Sequence, residues 1–294
     1  MASTHNNISI EFEHLPPATS QPADPGAKIA IVTLQRPEKL NGLTLDMLTE
    51  LRDTARRLAH DRQLRGVILR GAGRSFCAGL DFGATFSTPQ RVAAGFIPDR
   101  TGANLFQAAC WQWRRLPVPV IAIVHGHCYG GGLQLALGAD FRITTPEAQW
   151  SILEAKWGLI PDMSGMRTIV DEIPAATAKW LTMSADIFDA DTAVETGLAT
   201  WTAPDTEAAL AQAEQRLAQL ATRSPDQIAA TKHLFRDINA SPRTTFRRER
   251  VQQLLLLAKK NTSLIRAAAM KQTEARFVLR GTWLSRARNL KSGH

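Results

Sequence analysis

The chain has 294 residues, of which 44% are hydrophobic and 21% charged, a balance typical of a globular protein rather than a disordered or fibrous one. No apolar run approaches the roughly 18 residues that span a bilayer, so an integral membrane protein is excluded. Three scattered cysteines, Cys77, Cys110 and Cys128, favour neither a disulfide framework nor a zinc site. Residues 1–27 are polar and proline-rich, which predicts a flexible leader without a secretory signal and therefore a cytoplasmic protein.

Positive charge is concentrated towards the C-terminus. The formal net charge is +8, yet from Lys232 onward 15 lysines and arginines stand against only three acids. Such a block predicts contact with something anionic: nucleic acid, an anionic membrane surface, a phosphorylated small molecule or an acidic face of another subunit. A solvated helical face explains the same pattern equally well.

Strands and helices alternate over the first part of the chain. A β-branched run at 29–34 predicts a strand, and apolar residues at helical spacing over 45–58 predict a helix with Thr44 as its N-cap. Residues 66–70 form a second predicted strand. Residues 82–100 show no clear period and are predicted to be a functional loop, either a lid or a pocket wall.

The alternation continues through the middle of the chain and then stops. The predicted elements there are, in order, a helix at 103–115, strands at 120–124 and 141–144 on either side of a helix at 133–139, and helices at 161–173, 175–183 and 190–197. Residues 206–289 predict an all-helical region broken near residues 224 and 241. We therefore expect an α/β core at 28–205 followed by a helical region at 206–294.

Several familiar catalytic motifs are missing from the sequence. Gly71-Ala-Gly73 follows a strand, but the dinucleotide-binding fingerprint needs a glycine where Phe76 stands. The sequence contains neither a P-loop nor a G-x-S-x-G elbow. His125 and His127 have no third ligand nearby, so we expect no metal site and interpret both as core or turn residues.

Two glycine-containing segments instead predict a site that stabilises negative charge. The loop 75–81 follows the second strand, and Gly130-Gly131-Gly132 opens a helix after the strand at 120–124. A helix N-terminus presents unpaired N–H groups, and glycine allows a ligand to approach them. If both segments face one spot, two N–H groups can hold one carbonyl oxygen as an oxyanion hole. The glycines could equally serve only close helix–strand packing, and Asp81 could simply stabilise its turn.

Four ordered motifs carry a resemblance to a known family. They are Arg-Pro-Glu-Lys-Leu-Asn, Phe-Cys-Ala-Gly-Leu-Asp, His-Gly-His-Cys-Tyr-Gly-Gly-Gly … Ala-Asp and Ala-Gln-Trp … Glu-Ala-Lys-Trp-Gly-Leu-Ile-Pro-Asp. In this order and spacing they resemble the crotonase (enoyl-CoA hydratase/isomerase) superfamily. The resemblance implies a spiral of ββα units that binds a CoA thioester. It also implies a helical C-terminal region that forms homotrimers, or hexamers built from two trimers.

The resemblance further implies the residues of the site. The two oxyanion donors would be the backbone N–H groups of Leu80 and Gly131. No cofactor is expected beyond the coenzyme A that the substrate carries, and loop 84–104 is expected to shape the acyl end of the pocket. The expected substrate contacts are Ala78, Asp81, Phe82 and Gln134.

Enoyl-CoA hydratases of this family use two glutamates to activate water. Glu154 matches the second glutamate, but the first position holds Gln134, whose amide cannot exchange a proton near neutral pH. A further acid, Asp162, follows at a spacing that resembles the dienoyl-CoA isomerase branch, although that branch usually has an aspartate where this chain has Gln134. Two carboxylates with different pKa values can remove and return a proton. Burial is expected to raise one of these pKa values, through the apolar residues Trp157, Leu159 and Ile160.

An acyl-CoA isomerase is therefore the favoured hypothesis, with Glu154 and Asp162 exchanging protons with the acyl chain. One alternative is a 2-enoyl-CoA hydratase in which Gln134 only orients water. Another is a non-catalytic RNA-binding or scaffold protein, although nucleic acid is the least favoured partner. Asp162 could also cap the helix predicted at 161–173, and Glu154 could be a surface strand residue. The tryptophans expected to fill the core are Trp111, Trp113 and Trp157.

Overall fold

The computed structural model describes residues 7–15, 27–236 and 239–282, and eight strands lie within these ranges. They are β1 (Ile8–His14), β2 (Lys28–Leu34), β3 (Leu64–Gly71), β4 (Val120–Val124), β5 (His127–Tyr129), β6 (Phe141–Thr144), β7 (Gln149–Ser151) and β8 (Trp201–Thr202). Six strands form one sheet in the order β1-β2-β3-β4-β6-β8, in which β1 is antiparallel to β2 and the other neighbours are parallel. The short strands β5 and β7 pair separately.

Helices make up most of the remaining described residues. They are α1 (Leu45–His60), α2 (Phe82–Phe86), α3 (Pro89–Gly95), α4 (Leu105–Arg114), α5 (Gly131–Ala136), α6 (Gly165–Glu172), α7 (Ala175–Ser184), α8 (Ala190–Thr196), α9 (Thr206–Ala221), α10 (Pro225–Arg236), α11 (Pro242–Leu257) and α12 (Lys260–Met270). Two 3₁₀ turns cover Pro37–Lys39 and Leu153–Trp157. No helix in the described ranges is both long and apolar enough to cross a membrane.

The central sheet separates two hydrophobic cores. Ala30 and Val32 of β2 belong to one core, whereas Ile29 and Ile31 of the same strand belong to the other. Successive side chains of a strand point to opposite faces, so a sheet with both faces covered needs apolar residues at nearly every position. This requirement explains why β2 and β4 are continuous apolar runs.

Different parts of the chain cover the two faces. On one face, α1 buries Leu48 and Leu51, and α4 buries Trp113. On the other face, α9 packs its alanines and Leu217 against the isoleucines of the sheet. A Cβ at Gly66 would lie 2.6 Å from Leu217 Cδ2, so a larger residue there would force the Leu217 side chain to move. Helix α9 falls in the range that the sequence assigns to a separate helical region, yet it completes the second core.

Most long elements lie where the sequence predicts them. The strands predicted at 29–34, 66–70, 120–124 and 141–144 correspond to β2, β3, β4 and β6. Helix α1 begins as predicted, because the Thr44 side chain accepts a hydrogen bond from Met47 N at 3.2 Å. The predicted fold class, an α/β core followed by a helical C-terminal region, agrees with this architecture.

The prediction of a flexible leader over residues 1–27 is wrong at Ile8–His14, where β1 forms. This strand pairs with β2 in continuous register from Ile8 opposite Leu34 to His14 opposite Lys28. Buried Ile8 and Ile10 alternate with more exposed residues, which is the period of an edge strand with one apolar face. The rest of the predicted leader, residues 1–6 and 16–26, lies outside the described residues.

Three further sequence predictions need correction. The aperiodic range 82–100 contains α2 and α3, which are too short to show a helical period and are marked instead by the Asp81 cap and by Pro89 in the first turn of α3. Helix α6 begins at Gly165, four residues later than predicted. Residues 271–282 contain no helix, although the sequence predicts helices up to residue 289, and residues 283–289 lie outside the described part.

Part of the basic C-terminal segment serves the fold itself. Lys232 Nζ donates to Val118 O at 2.9 Å and forms an ion pair with Asp140 at 2.6 Å. The buried Arg280 donates to Asp61 O at 2.8 Å, and burial lowers the pKa of its guanidinium to about 10. These two cations are therefore not available to an external anion.

Candidate active site

The loop after β3 runs beside β5 and is joined to it by an isolated parallel bridge between Cys77 and Cys128. Cys77 N donates to His127 O at 2.9 Å, and Tyr129 N donates to Cys77 O at 3.0 Å. Helix α5 begins directly after β5, with Gly130 between them. The structure therefore places the two glycine-containing segments singled out in the sequence side by side.

The backbone at Leu80 is oriented by a short parallel pairing. Leu43 N donates to Gly79 O at 2.8 Å, and Asp81 N donates to Leu43 O at 2.9 Å, so the N–H of Leu80 points away from Leu43. Gly131 is the first residue of α5, and its N–H has no acceptor within that helix. A Cβ on Gly79 would lie 3.5 Å from Gly131 N, so the two segments are in contact there. An oxyanion hole needs two N–H donors from segments arranged in this way.

Close packing also demands glycine in this region. A Cβ at Gly132 would lie 2.2 Å from Cys77 O, which no side chain could tolerate. Gly130 has a φ of +49°, and a Cβ there would lie 3.2 Å from Glu154 Oε1. The packing explanation of the glycine triplet therefore holds alongside the oxyanion hypothesis, because the same glycines bring the Cys77 loop and Glu154 close to the start of α5.

Among the expected substrate contacts, Asp81 acts first as a structural residue. Its carboxylate accepts a hydrogen bond from Ala84 N at 3.0 Å, which caps α2, and pairs with Arg36 at 3.1 Å. The hydrogen bond from Ala84 and the Arg36 guanidinium hold the pKa of Asp81 below its usual value. Ala78 N donates to Leu40 O at 2.9 Å. Neither the Asp81 carboxylate nor the Ala78 N–H is therefore free of protein partners.

Phe82 belongs to an aromatic patch beside these segments. Its ring lies 5.4 Å from the ring of Trp157 and 5.8 Å from that of Phe86, measured between centroids. Trp157 is 62% exposed, which contradicts its predicted place in the core. Trp113, by contrast, is fully buried as predicted, and Trp111 is half-buried.

Glu154 lies on the 3₁₀ turn Leu153–Trp157 rather than on a strand. Its Oε1 accepts a hydrogen bond from Gln134 Nε2 at 2.6 Å, whereas its buried Oε2 has no hydrogen-bond partner among the described residues. Burial raises the pKa of Glu154, hydrogen bonds from its own backbone N–H and from Gln134 lower it, and the nearby charge of Asp162 raises it further. A carboxyl group in such surroundings is suited to proton transfer near neutral pH.

Asp162 follows the 3₁₀ turn in a half-buried segment, close enough to influence the titration of Glu154. Burial raises the pKa of Asp162. The alternative that Asp162 caps α6 is wrong, because Ser164 occupies the N-cap position. Burial of one of the two carboxyl groups among Trp157, Leu159 and Ile160, as predicted, is not found, because these side chains are 62%, 48% and 70% exposed.

Gln134 has a different role from the expected substrate contact. Its side chain is only 1% exposed, and its Oε1 accepts hydrogen bonds from Met163 N at 2.7 Å and Gly165 N at 2.9 Å. Together with the bond to Glu154, these contacts occupy both ends of the amide. Gln134 therefore faces protein groups.

Two neighbours of the site were not singled out in the sequence. Met163 Sδ would lie 2.9 Å from a Cβ on Gly131, so this side chain packs against the start of α5. Arg36 binds Asp81 and also the carbonyl of Gly42. Arg36 opens one of the ordered motifs and could have been identified there, whereas no local pattern marks Met163.

The two histidines near the site act as turn and core residues, as predicted. His125 Nε2 contacts Gly73 O at 3.0 Å, and His127 Nδ1 contacts Ser75 Oγ at 2.8 Å. Across the described part of the chain, no group of three or more His, Cys, Asp or Glu side chains is placed to hold a metal ion.

Comparisons with known proteins identify the family of the chain. A family model described as enoyl-CoA hydratase/isomerase matches residues 24–278. Carnitinyl-CoA dehydratase from Proteus mirabilis (strain HI4320) is 34% identical over 208 residues, which cover 70% of this chain and 76% of that protein. (E)-benzylidenesuccinyl-CoA hydratase from Thauera aromatica is 30% identical over 206 residues, covering 69% of this chain and 77% of that protein.

A solved structure shows the same fold. The crystal structure of enoyl-CoA hydratase from Bacillus anthracis superposes with a TM-score of 0.78 and covers 93% of this chain and 99% of that one, at 23% sequence identity. A sequence identity of this size supports only the fold. Membership of the family rests on the family model and on the two relatives described above. The chain belongs to the enoyl-CoA hydratase/isomerase family of the crotonase superfamily, whose members process acyl-CoA thioesters.

Proposed function

We propose that this chain catalyses double-bond migration in an enoyl- or dienoyl-CoA. The N–H groups of Leu80 and Gly131 hold the thioester oxygen and stabilise the enolate that forms when a proton leaves the adjacent carbon. Glu154 and Asp162 transfer the protons. One proton leaves the carbon next to the carbonyl, another is returned at the far end of the conjugated system, and the double bond moves without gain or loss of atoms.

The observation that carries this proposal is the placement of two half-buried carboxyl groups on one short stretch of chain, Glu154 with its unpartnered Oε2 and Asp162 eight residues further on. Burial raises the pKa of both. The two-glutamate hydration mechanism needs a second protonatable group at position 134, where this chain has an amide. We assign the proton next to the carbonyl to Glu154, because its carboxylate lies against Gly130, one residue from the proposed oxyanion donor Gly131. Asp162 then serves the far end.

Hydration or dehydration is the second candidate. Carnitinyl-CoA dehydratase and (E)-benzylidenesuccinyl-CoA hydratase are among the relatives of this chain, and their names favour the addition or removal of water. In this alternative Glu154 exchanges the protons by itself. The rate at which a 2-enoyl-CoA such as crotonyl-CoA is hydrated measures this second activity directly.

The test compares Asp162→Asn and Glu154→Gln, with Asp191→Asn on α8 as an exposed control. Asp162→Asn is expected to reduce migration in a dienoyl-CoA by roughly a hundredfold or more, while deuterium exchange next to the carbonyl continues. Glu154→Gln is expected to reduce both the migration of the double bond and the deuterium exchange next to the carbonyl. Unchanged migration in Asp162→Asn would overturn the isomerase proposal, and faster hydration of crotonyl-CoA than migration would favour the second candidate.

We further propose that the chain binds its CoA thioester as a cytoplasmic homotrimer or hexamer. The alternative of a non-catalytic RNA-binding protein loses part of its support, because Lys232 and Arg280 of the basic segment are used within the fold. Protection against thermal unfolding by an acyl-CoA supports the enzyme. RNA binding with a steep salt dependence and no such protection would support the RNA-binding alternative.

A further inference from the structure

The orientation of the Gln134 amide follows from its partners. The backbone N–H groups of Met163 and Gly165 both point to one side-chain atom of Gln134, and an N–H donor requires an acceptor. That atom is therefore the amide oxygen. The nitrogen must then face Glu154 Oε1, at 2.6 Å, and this nitrogen can only donate.

The oxygen end of the amide replaces a helix cap. Ser164 stands at the N-cap of α6 with a φ of +72°, and its side chain does not bind the first turn of that helix. The Gln134 carbonyl accepts from the helix start instead. One amide thus joins three segments: α5, on which it lies, the start of α6, and the 3₁₀ turn that carries Glu154.

We propose that Gln134 is a positioning residue that keeps the exchangeable proton of Glu154 on Oε2. This inference deepens the proposed function, because it rests on proton transfer by Glu154. If the proton were on Oε1, two hydrogen-bond donors, the Oε1–H and the Gln134 N–H, would face each other. Oε2, by contrast, has no hydrogen-bond partner among the residues that the structure describes. Of the two carboxyl oxygens of Glu154, only Oε2 is therefore free to carry the exchangeable proton.

A glutamate at position 134 could not serve in the same way. Its carboxylate would place a second acidic oxygen at the position of Nε2, about 2.6 Å from Glu154 Oε1. Two carboxyl groups this close share one proton and titrate as a pair. The amide keeps Glu154 as an independent acid with a defined reactive oxygen.

Infrared spectroscopy of the substrate-free protein tests where the proton lies. When Glu154 is protonated on Oε2, its C=O group is Oε1, which accepts from Gln134. The C=O band, assigned as the band lost in Glu154→Gln, is expected to move to higher frequency in Gln134→Met, because the hydrogen bond is gone. A proton on Oε1 would leave the carbonyl at the unpartnered Oε2, and the band would not move.

The pH profile of kcat/KM gives a second readout. The hydrogen bond from Gln134 lowers the pKa of Glu154. Loss of this hydrogen bond in Gln134→Met is therefore expected to shift the limb of the pH profile that reports the titration of Glu154 upward by about one pH unit. Asn261→Leu is the matched control. Asn261 is a buried amide that also donates to a carboxylate, Asp226 at 2.7 Å, and accepts from a backbone N–H, Val278 at 2.9 Å. Its loss is expected to lower stability without moving the band or the limb.

If neither the C=O band of Glu154 nor the limb of the pH profile shifts in Gln134→Met, Gln134 is only a helix cap and the proposal is overturned. Should Gln134→Met fail to fold, Gln134→Glu takes its place, since an ionised glutamate can still accept from Met163 and Gly165. An unchanged Glu154 band and limb in that variant overturn the proposal equally. Full turnover by Glu154→Gln would instead refute the proposed function, while the infrared result, obtained without substrate, would still decide where the proton lies.

Discussion

Asp81 and Glu154 show at the scale of single residues how similar carboxyl groups acquire opposite properties. Asp81 accepts a hydrogen bond from a backbone N–H and pairs with Arg36, so its pKa is lowered. The largely buried carboxyl group of Glu154 has no cationic partner in the part of the chain that the structure describes, and burial raises its pKa despite the hydrogen bond from Gln134. The first arrangement favours a permanent charge that holds a turn, and the second favours a proton that can be given and taken back.

These opposite shifts predict opposite effects of pH on stability. The raised pKa of Glu154 means that its contribution is fully present below the unfolded pKa and is lost as pH rises through the folded pKa. Glu154→Gln does not titrate, so its unfolding midpoint is expected to rise relative to wild type as pH increases from about 4 through the neutral range. Thermal unfolding across this range measures the difference.

Asp81→Asn provides the control of opposite sign. Because the pKa of Asp81 is lowered, its contribution is present above the unfolded pKa and is lost as pH falls through the folded pKa. This variant is expected to be less stable than wild type at neutral pH and to approach wild type in acid. A pH-independent difference for Glu154→Gln would contradict the raised pKa.

The ion pair between Lys232 and Asp140 predicts a large loss of stability on substitution. Its side chains are 9% and 21% exposed, and Lys232→Met would leave Asp140 without its charged partner. Breaking a buried pair on one side typically costs about 3–5 kcal/mol in the free energy of unfolding. Urea denaturation measures this cost. Arg91→Met, in an ion pair whose side chains are 54% and 62% exposed, is the control and is expected to stay close to wild type.

At the scale of elements, the sequence predicts those whose pattern is local. Strands β2, β3 and β4 are marked by nearly continuous apolar runs, and helix α1 is long enough to show its apolar period. The order of the motifs identifies the fold. Helices α2 and α3 are too short for a period. The contact of Gln134 with the start of α6 joins segments far apart in sequence, and its partners are backbone N–H groups, which every non-proline residue carries. No pattern of side chains could reveal that contact.

The aromatic patch of Phe82, Phe86 and Trp157 links α2 to the 3₁₀ turn. Phe82 is two residues from Leu80, and Trp157 is three residues from Glu154, so the patch borders both halves of the proposed site. We expect it to contact the acyl chain. Trp157→Ala is expected to raise KM about tenfold for long or aromatic acyl groups, with little change for short ones, because one aromatic contact is lost.

Steady-state kinetics on acyl-CoA substrates of increasing length measures this effect. Phe12→Ala removes an exposed aromatic ring from the edge strand β1 and is the matched control, with no expected change in KM. A uniform change across all chain lengths in Trp157→Ala would contradict a role in acyl selection.

At the scale of the whole molecule, α11 stands out because, within the described part of the chain, none of its residues is buried. Val251, Leu254 and Leu255 are nonetheless exposed apolar residues, and their spacing places them on one face of the helix. Contiguous exposed apolar surface of this kind marks an interaction site. It is the face that we expect to be covered by other subunits in the proposed trimer.

Leu254→Glu is expected to shift the protein from a trimer or hexamer to a monomer, because a carboxylate would be buried in an apolar contact. Sedimentation velocity measures the change. Phe12→Glu, at an exposed apolar position on β1, is the control and is expected to leave the assembly intact. A wild-type protein that sediments as a monomer would contradict the proposed assembly.

The position of α9 has a consequence for synthesis of the chain. The strands that form the second core run from β2 to β6 and end by Thr144, but the alanines and Leu217 that cover it come only with α9. As the polypeptide leaves the ribosome, the side chains of Ile29 and Ile31 therefore stay uncovered until residues 206–221 have emerged. During that interval the nascent sheet exposes a hydrophobic surface, and we expect chaperones to bind there.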